Sequence, residues 1–270
     1  MSDQIVVITG ANKGIGYGIV QKLATILDGA IIYLTARNEL RGKTALEELE
    51  KSFAKNKKSN VQFHQLDIED DISCQNFAQY LTKAHGKIDI LLNNAGIALP
   101  NASPEEQAKI SIGINYYGIK RITTVLLPLF NPGSKLINIC SQKGIMKGKY
   151  DQKHIEKLKN ASSEKEIDEF VEEYILASKN GTRKEEGFPE SGYSVSKTAA
   201  IALTMLHHRQ YSNLGIKFYA CCPGYVSTDM TNNQNFLSVE EGVDTPVYLA
   251  TDPHVPSGTF VYLRKNIDWY

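Results

Sequence analysis

Short β-branched runs at residues 5–9, 30–36, 61–67, 88–92, 135–140, 216–221 and 259–262 alternate with longer stretches whose apolar residues recur at a 3.6-residue spacing. Ile15, Ile19, Leu23, Ile26 and Leu27 form one such helical stripe; Leu46, Leu49 and Phe53 belong to another. Strands that are apolar along their whole length are tolerable only when both faces of the sheet are covered, and strand–helix alternation covers them. The pattern predicts an α/β fold with one doubly wound parallel sheet of about seven strands. A chain of 270 residues can make this one domain, spanning residues 1–270.

One segment breaks the alternation. Residues 146–190 contain no strand pattern and are densely charged, which predicts a helical insertion. Within it Ser163-x-x-Glu166 has capping-box spacing, and Ile167, Phe170, Val171, Tyr174 and Ile175 fall on one helical face.

Composition narrows the partners. Thirty acidic residues balance thirty basic ones, so no net field gathers nucleic acid or an anionic membrane. No apolar run approaches the ~20 residues that span a bilayer, and the first strand pattern begins without a charged leader. The expected compartment is the cytoplasm, and a small molecule is the expected partner. The four cysteines, Cys74, Cys140, Cys221 and Cys222, include no CxxC pair and no zinc-like spacing with histidine, so no metal is expected.

The first strand runs directly into Thr9-Gly10-Ala11-Asn12-Lys13-Gly14-Ile15-Gly16, and a helical pattern follows. Gly10, Gly14 and Gly16 allow a tight turn and close approach of an anion to backbone N–H groups at a helix start. The spacing is GxxxGxG, a variant of the common dinucleotide fingerprint. The second strand ends in Thr35-Ala36-Arg37-Asn38, where an NAD site would place a carboxylate. A guanidinium there forks onto a 2′-phosphate. With Lys13 as a second cation, the turn favours NADPH/NADP+.

Two Tyr-x-x-x-Lys pairs offer proton chemistry, Tyr116/Lys120 and Tyr193/Lys197. Context selects the second, because Tyr193 follows a Gly/Pro-bearing loop and opens a helical run. A phenol near pKa 10 needs a neighbouring ammonium to draw it down, and Lys197 is placed to do so. Ser141 closes a strand at the carboxyl edge of the sheet, where a hydroxyl can polarise a carbonyl while Tyr193 protonates it.

Together these residues resemble the short-chain dehydrogenase/reductases, and among them the monomeric carbonyl reductases. The resemblance rests on TGxxxGxG at residues 9–16, Asp67, Asn93-Asn94-Ala95-Gly96, Asn115, Ser141, Tyr193/Lys197 and Pro223-Gly224 followed by Thr228. It implies a Rossmann-type fold whose glycine turn, including Asn12 and Ile15, holds the cofactor. Leu66 and Asp67 would lie at the adenine, Asn94 and Gly96 at a ribose, and Lys197 at the nicotinamide ribose. Pro223, Gly224 and Val226 to Thr228 would approach the carboxamide, and Asn115 would anchor a water in a proton relay through Lys197.

Ser141 and Tyr193 lie 52 residues apart, much further than in most members. In the carbonyl reductases the intervening segment covers the face that tetrameric members use for assembly, so the resemblance implies a monomer. Ile97, Ile145, Met146 and Tyr225 would line the mouth above Ser141, a lining suited to hydrophobic ketones, aldehydes and quinones. Tyr225 stands where some members carry tryptophan. Two other readings share this fold: a reductase for one biosynthetic ketone such as a pterin or steroid, and a non-catalytic NADP(H) sensor.

Replacing Arg37 with Asp is expected to shift cofactor preference from NADPH toward NADH; an unchanged ratio of the two Kd values would remove Arg37 from phosphate recognition.

Overall fold

The computed structural model describes residues 3–53, 56–231 and 237–270. Eight strands form one sheet: β1 (Ile5–Ile8), β2 (Ile31–Ala36), β3 (Asn60–Gln65), β4 (Ile88–Asn93), β5 (Phe130–Ile139), β6 (Lys217–Cys222), β7 (Thr259–Tyr262) and β8 (Lys265–Asn266). Their spatial order is β3-β2-β1-β4-β5-β6-β7-β8. Every pairing is parallel except β7 with β8. The order reverses between β1 and β4, which opens a crevice at their carboxyl ends.

The helices are α1 (Gly14–Ile26), α2 (Glu39–Ser52), α3 (Asp71–Ala84), α4 (Pro104–Ile112), α5 (Ile119–Leu126), α6 (Gln152–Lys159), α7 (Glu164–Asn180), α8 (Gly192–Tyr211), α9 (Val239–Gly242) and α10 (Asp244–Thr251). All seven predicted strands are present, with ends shifted by a few residues. The eighth, β8, is two exposed residues after a turn, too short for any periodic signal.

Helix α8 is buried almost all round, and its small residues permit this. Ala199, Ala200 and Ala202 let neighbours approach. At its first turn, a Cβ on Gly192 would stand 2.8 Å from the backbone of Gln107 in α4. A dry polar ladder fixes the helix to the sheet: the Asn93 amide donates to Asn138 at 2.8 Å, and the Asn138 amide donates to Thr204 at 2.8 Å.

The insertion folds as α6 and α7. Ile167, Phe170, Val171 and Tyr174 are fully buried in one cluster with Val195, Ala199 and Leu203 of α8, while Ile175 packs at its edge. Burying each large side chain is worth about 1.5–3 kcal/mol. Surface i,i+4 ion pairs on the outer side add only about 0.3–0.5 kcal/mol each, so packing holds the insertion down. The expected Ser163 capping box does not form. Glu166 interacts with the Ser163 backbone and accepts from the Ser162 backbone at 2.6 Å and from its hydroxyl at 3.1 Å, while Ser163 caps nothing with its side chain. A side chain of Glu length reaches one residue further back here.

Lys135 is buried in β5 and donates to the carbonyls of Leu249, Ala250 and Asp252 at 2.8–3.0 Å. These groups end α10 and need a donor. Lys135→Met is expected to lower unfolding free energy by about 2–3 kcal/mol, because it leaves buried carbonyls unpaired; chemical denaturation measures this.

Candidate active site

The glycine turn is built by sterics. Gly10 and Gly14 have φ of 61° and 58°, and a Cβ on Gly10 would stand 2.7 Å from the Ala95 Cα. The Thr9 hydroxyl accepts from the backbones of Asn94 and Ala95, each at 3.0 Å. Asn94 donates its amide to the Thr9 and Gly10 carbonyls at 2.9 and 3.0 Å. Asn94 therefore shapes the turn itself, leaving only its carbonyl oxygen for anything beyond.

No side chain caps α1, and its first turn carries no acid. The N–H groups of a 13-residue helix are thus left facing the crevice, in a turn where glycines clear the approach. This donor set fits a dinucleotide pyrophosphate. Ile15 is half-buried against the core and Gly16 is buried.

Arg37 is exposed at the end of β2 and pairs with Glu69 at 3.4 Å; Lys13 pairs with Asp229 at 2.6 Å. Both expected phosphate cations thus have carboxylate partners on the surface, where such pairs are weak and yield to a better anion. Asp67 accepts from the Glu69 backbone at 3.0 Å, and Leu66 is buried behind it, so Leu66 can meet a ligand only through its backbone. Val226 is likewise buried.

At the chemical end, β5 runs out at Ile139, and Ser141 opens a 3₁₀ turn, Gln142–Gly144. That turn lies against α8. A Cβ on Gly144 would stand 2.8 Å from the backbone of Lys197, and Thr198 donates to the Gly144 carbonyl at 2.9 Å. The Ser141 hydroxyl lies close enough to the Tyr193 phenol to favour its ionised form. Residues 52 positions apart in the chain are brought together at the sheet edge.

The expected direction of the Tyr193 shift is reversed. Burial pushes its phenol up to about 12, and the Ser141 hydroxyl opposes this only in part. Lys197 is buried beneath the ring, its Nζ 5.7 Å from the ring centroid, and it donates to the Ile139 carbonyl at 2.7 Å. Burial also pulls its own pKa down. Both groups share one dry pocket, and desolvation penalises the charged form of each.

Asn115 lies in a π-helical turn, Gly113–Gly118, between α4 and α5. Both hydrogens of its side-chain amide are used. Oδ1 accepts from the Ile97 backbone at 2.8 Å, and Nδ2 donates to the Ile97 carbonyl at 2.9 Å and to Ser196 at 3.0 Å. Ser196 in turn donates to the Tyr193 carbonyl at 2.8 Å. The amide has no hydrogen left to give, so a water at Asn115 would have to donate, to Oδ1 or to the backbone carbonyl. Sequence reading missed Ser196, although it sits inside the Tyr193/Lys197 motif.

Tyr116 and Lys120, the rival pair, both hold Asp168 of α7, at 2.8 and 2.6 Å. Burial and the adjacent carboxylate hold the Tyr116 proton far above the ordinary phenol range, which excludes it from acid–base work. Of the expected lining, Ile97 and Ile145 are half-buried and Tyr225 is 46% exposed. Met146 has no exposed surface and does not line the mouth. Its N–H donates to the Trp269 carbonyl at 2.7 Å, which draws it into the core. Pro223 is buried and Gly224, with φ 88°, turns the chain toward Thr228, whose methyl lies 3.5 Å from a Cβ placed on Gly14. Gly96 brings its own Cα close to both Asn115 and Lys197: a Cβ there would stand 3.0 and 3.6 Å from them.

The sequence matches the short chain dehydrogenase family model over residues 4–151 and 175–236. The unmatched stretch between them contains α6 and the first part of α7, so the insertion lies partly outside the pattern common to the family. Carbonyl reductase [NADPH] 1 of Bos taurus is 34% identical over 280 residues, covering 99% of each chain. Its Homo sapiens counterpart is 34% identical over 277 residues, with 98% of each chain covered. Among solved structures, salutaridine reductase from Papaver somniferum superposes with a TM-score of 0.85 at 29% identity, covering 95% of this chain and 99% of that one. The glycine turn, the reversed strand order and the neighbouring Ser141 and Tyr193 side chains accord with that family model, and the chain belongs to the short-chain dehydrogenase family.

Proposed function

We propose that this chain is an NADPH-dependent reductase of carbonyl compounds, with hydrophobic ketones, aldehydes and quinones as substrates. The observation that carries the reading is the gathering of the Ser141 hydroxyl, the Tyr193 phenol and a buried lysine at one sheet edge. The relatives named carbonyl reductase [NADPH], similar along nearly their full length, support the cofactor and the reaction class.

The residues holding the cofactor would be those of the glycine turn (Gly10, Asn12, Lys13, Gly14, Ile15 and Gly16), with Arg37 and Lys13 toward a 2′-phosphate. Bound NADPH supplies a hydride to the carbonyl carbon. The protein's part is to control the oxygen. A carbonyl oxygen entering between Ser141 and Tyr193 can accept from both hydroxyls. Ser141 polarises the carbonyl, and Tyr193 gives up its proton as negative charge develops on oxygen.

Tyr193 must be held protonated before the step and relieved of the phenolate charge after it. Burial does the first. For the second, a positive charge about 6 Å away at an effective dielectric of about 20 is worth roughly 3 kcal/mol, or about two pK units. Protonated Lys197 supplies an effect of that size, comparable to the rise that burial causes. Its two remaining ammonium hydrogens are available to a ribose hydroxyl and to the proton path past Asn115.

Tyr193→Phe is expected to lower kcat by about 10²–10⁴-fold, the usual worth of a positioned acid, while NADPH Kd measured by nucleotide fluorescence stays near the native value. Retained turnover would remove Tyr193 from proton transfer. The face of α4 and α5 covered by α7 also makes a monomer the expected state; equilibrium sedimentation showing a stable tetramer at micromolar protein would contradict it.

A further inference from the structure

We infer that Asp168, contributed by the insertion, is a positioning residue for the reaction, acting through Tyr116 on the π-helical turn that carries Asn115. This rests on the reading of Tyr193 and Asn115 as parts of the reaction machinery.

A π-turn is a rare conformation that survives where surrounding contacts compel it. Three contacts compel this one. Gly118 packs so closely on Ile68 that a Cβ would stand 2.7 Å from the Ile68 Cδ1. The Asn115 amide is bonded to both backbone groups of Ile97 and to Ser196. The third comes from outside the common fold: the Tyr116 hydroxyl, on a fully buried ring, donates to Asp168 Oδ1, and Lys120 donates to Oδ2.

One carboxylate thus bridges a residue inside the π-turn and one in the α-helix beyond it. It fixes the rotation of one relative to the other, and so the setting of Asn115. Glu164, one turn earlier in α7, reinforces the bridge by pairing with Lys120 at 3.3 Å and with His207 of α8 at 2.8 Å. From Asn115 the chain of contacts runs through Ser196 to the Tyr193 carbonyl without a break.

Hydrogen bonds to a carboxylate at a mostly buried site are the stronger kind. Losing the bridge lets the turn relax toward the ordinary i→i−4 ladder, and the carbonyl that a π-turn leaves without an N–H partner becomes engaged. Proton supply to Tyr193 is then impaired while the glycine turn, which touches none of these residues, is unaffected.

The test compares Asp168→Ala and Tyr116→Phe with Lys157→Met, which breaks the 2.7 Å Lys157–Glu173 pair inside the insertion and leaves the bridge alone. Amide hydrogen exchange of residues 113–118 is expected to accelerate about tenfold or more in Asp168→Ala, less in Tyr116→Phe, and not in Lys157→Met. In carbonyl reduction, kcat is expected to fall with an increased solvent deuterium isotope effect, while NADPH Kd stays near the native value.

Native exchange at 113–118 in Asp168→Ala overturns the inference, as does equal acceleration in Lys157→Met or a native isotope effect despite altered exchange. If Asp168→Ala does not fold, Tyr116→Phe, which deletes only a hydroxyl, decides by the same criteria. Exchange is measured without substrate, so a native protein that reduces no carbonyl would refute the proposed reaction and leave the exchange result to decide the bridge.

Discussion

The hydrogen-bonded knot at Asn115 is the constraint on which the geometry of the candidate site depends. One amide satisfies both backbone groups of Ile97 and reaches Ser196 on α8. It thereby ties the segment after β4, the π-turn and helix α8 into one unit. Each member is buried or nearly so, where an unpaired polar group costs about 1–3 kcal/mol. None of the three can shift alone without leaving such a group behind.

The same logic governs the cofactor end. Asn94 and Thr9 use their side chains on backbone groups of the glycine turn, so the turn is held open in the shape a pyrophosphate needs. The groups left for an anion are backbone N–H donors at an uncapped helix start. Preorganisation of this kind spares the ordering cost when the ligand arrives. Lys13 and Arg37 differ: both are exposed side chains with surface partners, suited to recognition more than to shape.

The insertion is bound into the core by the apolar face of α7, and its charges are not all spectators. Asp168 and Glu164 reach inward to Tyr116, Lys120 and His207. The second Tyr-x-x-x-Lys pair has this use: two donors at helical spacing gripping one carboxylate. The motif shared by Tyr193/Lys197 and Tyr116/Lys120 serves two purposes because the surroundings differ. One tyrosine faces the hydroxyl of Ser141 at the sheet edge, the other a carboxylate beneath a helix.

Periodicity and glycine spacing are local properties, and they determined the parallel sheet, the glycine turn, the insertion and its buried helical face from the chain itself. The position of Tyr193 at a helix start was also legible, because a loop followed by a helix is written in adjacent residues. What depends on distant neighbours was not. Met146 looked like a pocket residue, and a backbone bond to Trp269 puts it in the core. Ser163 sits at the N-cap as its spacing implied, but its side chain makes no cap bond, and Glu166 reaches on to Ser162. The lysine beside Tyr193 implied a lowered phenol pKa, yet folding encloses both groups and desolvation reverses the shift. Residue type and spacing specify which groups are present; their burial, their partners and their proton affinities are set only when remote segments close around them.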